Sequence, residues 1–222
     1  MNKLKRMLLL LPIGIFVTNA VEAVSIGQTY QGGIVFFVDA GRQHGLIASK
    51  SDQNGGQLLQ WYNGTYIMTN ATADGLYAGT KNTDVIISTQ TTIGFACSET
   101  SPPAYCRAYS ITLPITTGNY ASLAAANYNI QENGVTACTG NSSEKCYGDW
   151  YLPSKYELNL MYQNIGRVAK GKNKNKGGFV SYSYWSSTEN DAYSSWFQNF
   201  DNGNQSYSPK IYPLLVRAVR AF

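Results

Sequence analysis

A basic segment at residues 167–176 is the part of the sequence whose composition points most directly to ligand binding. Five cationic side chains occur within ten positions, interleaved with glycine and asparagine and with no acidic residue: Arg167, Lys170, Lys172, Lys174 and Lys176. A cluster of like charges attracts polyanions, which for an exported protein means sulfated glycans, anionic polysaccharides or lipid headgroups. The same composition is also typical of a solvated, mobile loop, and the sequence leaves both interpretations open.

Aromatic and amide side chains near the C-terminus form a second set of binding candidates. Aromatic rings stack on sugar rings, and amide groups hydrogen-bond to sugar hydroxyls. The candidates of this kind are Tyr193, Trp196, Asn199 and Asn204. The competing interpretation is that Trp185 and Trp196 pack into the core, as a large aromatic on a strand usually does.

Residues that could support catalysis or bind a metal are few. His44 is the only histidine, and it lies in a predicted turn beside a glycine, so a serine–histidine–aspartate triad would depend on it. A carboxylate pair for glycoside hydrolysis stays open among Glu189, Asp191 and Asp201. No calcium-binding triplet of the lectin kind is present. We predict a protein that is not an enzyme and that has no cofactor and no bound metal.

The four cysteines occur as two pairs with short spacing. Cys97 and Cys106 are nine positions apart, and Cys138 and Cys146 are eight apart. Four cysteines allow three connectivities, and pairing of nearest neighbours closes two short loops without further constraint. The absence of a C-x-x-C motif disfavours a metal or redox site. We therefore predict the disulfides Cys97–Cys106 and Cys138–Cys146.

The first 23 residues have the pattern of a signal peptide. Lys3, Lys5 and Arg6 precede an apolar run of roughly a dozen positions, and Ala23 ends a small-residue cleavage site. An uncleaved anchor is the alternative. We predict cleavage after Ala23 and a mature chain, residues 24–222, that forms one domain without a membrane span. Its location would be secreted, periplasmic or at the cell surface.

The composition of this mature chain also limits its partners. It has 14 basic and 12 acidic residues, a balance of +2 that does not indicate nucleic-acid binding. Charged residues are sparse, whereas glycine, tyrosine, serine, threonine and asparagine are abundant, which favours an α+β protein with many loops over a helical bundle.

The clearest helix signal begins at Ser154. Ser154 and Glu157 form a capping box, and Gly166 is a plausible end of the helix. Between them, apolar residues recur at helical spacing: Leu158, Met161, Tyr162 and Ile165. A shorter helix is predicted at residues 120–128, whereas residues 63–118 are predicted to be mostly loop.

Strands account for most of the remaining pattern. An apolar run at residues 34–38 is predicted to pair with residues 46–48, and residues 57–62 form another candidate strand. Residues 184–189 and 195–200 are predicted strands, and Asn202-Gly203 predicts a tight turn with an antiparallel return over residues 205–210. Residues 214–222 form the predicted closing strand. It presents Arg217 and Arg220 on opposite faces, so the arginine on the core face needs a carboxylate, for which Glu189 or Asp149 is the candidate.

Several of these motifs together resemble the Lcl C-terminal domain family, which is named for the terminal domain of a bacterial collagen-like adhesin. They are GGIVFF at residues 32–37, DWYLPSKYEL at residues 149–158, YWSSTE at residues 184–189 and VRAVR at residues 216–220. The resemblance implies a C-type lectin-like α+β fold, with a small twisted antiparallel sheet, two helices, long disulfide-stapled loops and neighbouring terminal strands. This chain has no collagen-like stalk, and both cysteine loops look like insertions.

The function that these features imply is adhesin-type recognition. We expect an exported binding module whose partner is a glycan or a polyanionic surface ligand, bound through the loops and the basic segment. The alternative is a structural or tip subunit of a surface assembly that binds protein.

Overall fold

The protein combines small antiparallel sheets with three α-helices, in a computed structural model that describes residues 23–90 and 118–222. The predicted signal peptide and the pair Cys97 and Cys106 lie outside the described residues, apart from Ala23. The helices are α1 (Ala78–Gln90), α2 (Ala121–Ala126) and α3 (Lys155–Ile165). The strands are β1 (Thr29–Tyr30), β2 (Gly33–Val38), β3 (Gly45–Ser49), β4 (Ile130–Gln131), β5 (Cys146–Tyr147), β6 (Ser183–Glu189), β7 (Ser194–Asn199), β8 (Gln205–Pro209) and β9 (Val219–Ala221).

The first sheet joins the two ends of the described chain. Its strand order is β1-β2-β3-β9, and all neighbours are antiparallel. Val35 pairs with Ile47, so the predicted hairpin between residues 34–38 and 46–48 is confirmed. Tyr30 of β1 contacts Phe222 edge to face, with 4.9 Å between ring centroids, which brings the first and last segments together.

The second large sheet has the order β6-β7-β8 and is also antiparallel. The predicted hairpin is confirmed, with Trp196 opposite Tyr207 and the turn at residues 200–204 between the strands. Gly203 has φ +82°, a conformation that favours glycine, and a side chain there would collide with the ring of Tyr162 on α3. This turn is therefore pressed against the helix.

The C-terminal segment connects the sheets, but it is not the continuous strand that we predicted over residues 214–222. Only β9 forms a ladder, whereas Leu214 bridges to Leu59, Leu215 to Tyr184 and Val219 to Tyr151. Each stretch of this segment thus hydrogen-bonds to a different partner. The C-terminal residues therefore connect several elements by hydrogen bonds and do not extend a single sheet.

Helix α3 follows the sequence pattern closely. The Ser154 side chain accepts from the backbone N–H of Glu157, and the Glu157 carboxylate accepts from the Ser154 N–H, so the capping box is confirmed. The helix ends before Gly166, and its apolar stripe is buried: Leu158, Met161, Tyr162 and Ile165. Local signals were sufficient here because capping and periodicity act within a few residues.

Helix α1 contradicts the expected total of two helices, and it occupies part of the range 63–118 that the sequence pattern predicts to be mostly loop. Residues 91–117 of that range lie outside the described residues. Its core-facing positions recur at helical spacing but are mostly polar or small: Gly79, Asn82, Thr83, Ile86 and Gln90. Asn82 donates to and accepts from the Ala73 backbone, and Thr83 accepts from the Leu152 N–H at 3.0 Å. A polar face that is satisfied by hydrogen bonds gives no hydrophobic periodicity, which is why the pattern missed this helix.

Large aromatic side chains fill the core. Trp61, Trp150 and Trp185 are buried, and the Trp185 indole N–H donates to the Leu59 carbonyl at 3.0 Å. The prediction that Trp185 packs inward is confirmed. Residues 57–62 do not form the predicted strand. Within this stretch Leu59 bridges to Leu214, and the Trp61 N–H then donates to the Lys210 carbonyl.

Two buried ion pairs correct the expected partner of the core-facing arginine. Arg217 is that arginine, and its guanidinium pairs with Asp52 at 2.7 Å. Glu189 instead pairs with Lys210 at 2.6 Å, with both side chains fully buried. Asp149 pairs with Arg220 nearer the surface. The sequence pattern identified the face but could not identify the carboxylate that folding brings to it.

None of the described helices is long and apolar enough to cross a membrane.

Candidate functional site

The basic segment forms a compact lobe, which we define as residues 166–179 and call the basic lobe. Its chain folds back on the end of α3, because the N–H of Asn175 donates to the Gly166 carbonyl at 2.7 Å and that of Gly177 to the Ile165 carbonyl at 2.9 Å. A short 3-10 turn, Gly171–Asn173, lies at its middle. These hydrogen bonds fix the second half of the lobe against the end of helix α3.

Phe179 anchors the base of the basic lobe in the core. Its ring is 1% exposed and lies 4.5 Å from the ring of Phe200. The Arg217 guanidinium stacks on the same ring at 4.4 Å and donates to the Gly177 carbonyl at 2.7 Å. The buried pair of Arg217 and Asp52 thus also holds the lobe in place.

The cations of the lobe point to solvent, and the described part of the chain provides no acidic partner for them. All five are exposed: Arg167, Lys170, Lys172, Lys174 and Lys176. Within the described chain, no carboxylate lies within ion-pairing distance of any of them, whereas Lys145, Lys155 and Lys210 each pair with one. No carboxylate of residues 23–90 or 118–222 therefore cancels the positive field of the lobe at close range.

A cleft of about 400 Å³ separates the lobe from the segment that precedes β1. Lys172 and Lys176 line one side together with Asn173, and Ser25 and Gln28 line the other. Among the residues that the structure describes, the lining contains cations and neutral polar groups but no carboxylate. This arrangement suits an anionic group that reaches in from the lobe surface.

The aromatic candidates lie at separate places. Tyr193 is 53% exposed and packs on Tyr66, with 5.5 Å between ring centroids. Trp196 is half-buried on the outer side of the hairpin, where Lys155 places its ammonium 4.2 Å from the ring centroid. A sugar could stack on that indole face only after Lys155 moved away.

The two asparagines lie at the turn between β7 and β8. The Asn199 side chain accepts from the N–H groups of Asp201 and Asn202, so it stabilises the turn. Asn204 is exposed. Tyr193 and Asn199 are at opposite ends of a strand and hence about 20 Å apart, so the four candidates do not form one site. Phe200, next to Asn199, contacts Phe179, which puts the turn beside the lobe.

Two of the three carboxylates that could have served in hydrolysis, Glu189 and Asp191, have structural partners, whereas Asp201 is exposed in the turn after β7. Glu189 is buried, and it accepts from Lys210 and from the N–H groups of Thr69 and Asn70. Partial burial favours the neutral form of Asp191, but hydrogen bonds from the Tyr193 and Ser194 backbone outweigh it and hold its pKa below the ordinary value. These interactions account for both groups without a substrate.

The disulfide Cys138–Cys146 is present, with 6.1 Å between the Cα atoms, as predicted. Both sulfurs belong to the single cluster of metal-ligand types found among the described residues, in which Glu144 is the third member. Sulfurs in a disulfide are not thiolates, and thiolate is the form that binds a metal. The cluster is therefore a stapled loop.

No protein-family model matches this chain, and no curated protein matches it significantly.

Proposed function

We propose that this protein is an exported binding module that recognises polyanionic glycans through the basic lobe. The observation that carries the proposal is a set of five exposed cations that have no carboxylate partner among the described residues. They lie on a lobe that is anchored by Phe179 and Arg217. An anchored lobe presents its charges with less loss of conformational freedom than a mobile loop would, and this favours binding.

The expected ligand is an extended polymer with repeated sulfate or carboxylate groups. A single contact between exposed charges contributes about 1 kcal/mol or less, and it is screened over about 8 Å at physiological ionic strength. Useful affinity therefore needs several contacts at once, which a polyanion can make along the lobe. The cleft at Lys172 and Lys176 would take one anionic group more closely than the open surface.

The resemblance to the Lcl C-terminal domain family supports the same proposal. We infer that the α+β fold is of the C-type lectin-like kind. The joining of first and last strands in one sheet and the long segments between the sheets agree with that inference. A lectin-like domain commonly uses such segments for recognition, and the basic lobe is one of them.

One observation favours the alternative, a tip subunit that binds protein. Ile67 and Met68 are 42% and 44% exposed, and Tyr193 is exposed beside them. Lys210 donates to the carbonyls of Ile67 and Ala192, and it thereby holds the segment with Ile67 and Met68 next to the segment with Tyr193. Exposed apolar side chains in such an arrangement are typical of protein contacts.

Heparin chromatography in a salt gradient tests the proposal. The variant changes Lys170, Lys172, Lys174 and Lys176 to glutamine, and we expect it to elute at much lower salt than the wild-type protein because the lobe loses four of its five charges. A matched control removes four cations elsewhere by changing Arg42, Lys50, Lys81 and Lys145 to glutamine.

The control loses the same net charge as the lobe variant, but its basic lobe is intact. We therefore expect the control to elute close to the wild-type protein. Equal elution of the lobe variant and the control would show that net charge alone governs retention, and the basic lobe would then be only a solvated surface. Competition of cell binding by soluble sulfated glycan would separate glycan recognition from protein recognition.

A further inference from the structure

A second cleft, distinct from the basic lobe, lies between residues 51–56 and Tyr128, and we call it the Tyr128 cleft. Its volume is about 490 Å³, within the usual range of small-ligand sites. The lining is one aromatic ring, hydroxyl and amide side chains, one carboxylate and bare backbone: Ser51, Asp52, Gln53, Asn54, Gly55, Gly56 and Tyr128.

The rim of the cleft is formed by three consecutive residues with left-handed backbone. Asn54, Gly55 and Gly56 have φ values of +56°, +63° and +79°. The side chain of Asn54 is held by Asn119, whose amide donates to its Oδ1 at 3.1 Å. A Cβ atom on either glycine would meet nothing within 4 Å, so packing does not exclude side chains here. The glycines serve the backbone conformation, and no side chain covers the backbone at these two positions. The Gly56 N–H already donates to the Gln53 carbonyl at 3.0 Å.

The Tyr128 cleft has no net charge. Of the lining residues that the structure describes, Asp52 is the only charged one, and Arg217 neutralises it through a contact of 2.7 Å. The other oxygen of Asp52 accepts from the Tyr184 hydroxyl at 3.2 Å. A charged ligand therefore finds no unpaired counter-charge in this cleft, in contrast to the basic lobe.

Tyr128 combines an apolar ring with a hydroxyl that has no strong internal bond. Its ring packs against Trp150 with 5.1 Å between centroids, which fixes its position. Burial raises the pKa of the phenol, while the Ser51 hydroxyl beside it opposes the rise. No hydrogen bond of good geometry reaches the buried Tyr128 hydroxyl within the described chain. Ser51 is exposed and also lines the cleft. The cleft therefore contains the Ser51 hydroxyl next to the aromatic ring of Tyr128.

We propose that the Tyr128 cleft binds an uncharged pyranose ring of a glycan. A sugar of this kind has apolar C–H faces that pack on an aromatic ring and hydroxyls that bond to hydroxyl, amide and backbone groups, and the cleft offers all of these. The cleft would bind such a ring whether or not the lobe binds polyanions. Arg217 contacts both Asp52 and the Gly177 carbonyl, so the two sites share one anchor.

Nuclear magnetic resonance titration of the isotope-labelled protein tests this proposal. The probes are the methyl glycosides of glucose, galactose, mannose and N-acetylglucosamine and their uncharged di- and trisaccharides. They are added to roughly 20 mM, which detects millimolar affinity. We expect at least one probe to shift the backbone amide signals of Gly55 and Gly56 and to leave those of the basic lobe nearly unchanged.

A blocking variant provides the matched comparison. Ser51→Phe fills the cleft from an exposed position and should weaken binding of that probe at least tenfold, whereas Ser206→Phe adds the same side chain at an exposed position of β8 and should not. The variant with four glutamines in the lobe should keep its affinity for the uncharged probe while it loses heparin retention. Failure of every probe to shift Gly55 and Gly56, or unchanged affinity in a folded Ser51→Phe protein, would overturn the proposal.

Discussion

Replacing Phe179 by alanine tests whether the basic lobe is part of the folded core or a loop attached to it. The side chain lies at the base of the lobe, and its ring is almost fully buried. Its removal changes no charge. The variant therefore separates the packing of the lobe from its electrostatics.

The expected loss of stability follows from the neighbours of the ring. Deleting a buried phenylalanine side chain destabilises proteins by about 3–5 kcal/mol, through lost transfer free energy and the cavity left behind. Phe179 also contacts the rings of Phe200 and Tyr184 and lies under the Arg217 guanidinium. Aromatic pairs contribute about 0.5–1.5 kcal/mol beyond their buried area, so we expect the upper half of the range, about 4–5 kcal/mol.

This loss is measurable without unfolding the protein completely. Domains of this size are typically stable by about 5–15 kcal/mol, so the variant should retain a folded state under native conditions. Urea denaturation followed by tryptophan fluorescence reports on the core, because Trp61 and Trp185 are buried. Phe179→Leu is the control, and it should lose much less, about 1–2 kcal/mol, because most of the volume remains.

A loss below about 1 kcal/mol for Phe179→Ala would refute this reasoning, since exposed sites rarely exceed that value and buried aromatics rarely fall under it. The segment would then behave as the solvated loop that the sequence also allowed. The case for a preorganised binding lobe would fall with it.

Two further predictions concern pH and the disulfide. Burial raises the pKa of Tyr184 to about 12, above the value near 10 expected for the unfolded chain, so this group contributes stability that is complete below pH 10 and lost between pH 10 and 12. The free energy of unfolding, measured by urea titration at each pH, should fall less over that interval for Tyr184→Phe than for the wild-type protein, by about 2–3 kcal/mol in total. An identical decrease in both proteins would contradict the assignment. Selective reduction of Cys138–Cys146 should lower the melting temperature, with a loss of roughly 2–3 kcal/mol from the short loop, and should leave the protein folded. Peptide mapping without reductant tests the predicted Cys97–Cys106 bridge at the same time, and crossed pairs would disprove it.

The elements that could be predicted from the sequence are those whose signals are local. Ser154 and Glu157 satisfy the backbone of the same helix end that they mark, and Asn202-Gly203 marks the turn of the hairpin that contains it. The short spacing of Cys138 and Cys146 likewise limited their partners. In each case the interacting residues lie within about ten positions of one another, so the pattern contains the interaction.

The elements that the sequence did not show depend on partners far away in the chain. Helix α1 buries a polar face, which hydrogen bonds to other parts of the chain stabilise. Asn82 bonds to the Ala73 backbone, and Thr83 accepts from the Leu152 N–H. The sequence showed that an arginine on the core face needs a carboxylate. It could not show that this carboxylate would be Asp52, 165 positions before Arg217.

The binding surfaces divide in the same way. The sequence by itself determined the charge of the basic lobe, because five cations within ten residues stay close together in any fold. Only the tertiary structure decided that Phe179 and Arg217 hold this lobe against the core, and that residues 51–56 meet Tyr128 in a neutral cleft. Charge density depends on composition, whereas a cleft depends on which distant segments pack side by side. That packing is set by burial and hydrogen bonding summed over the whole chain.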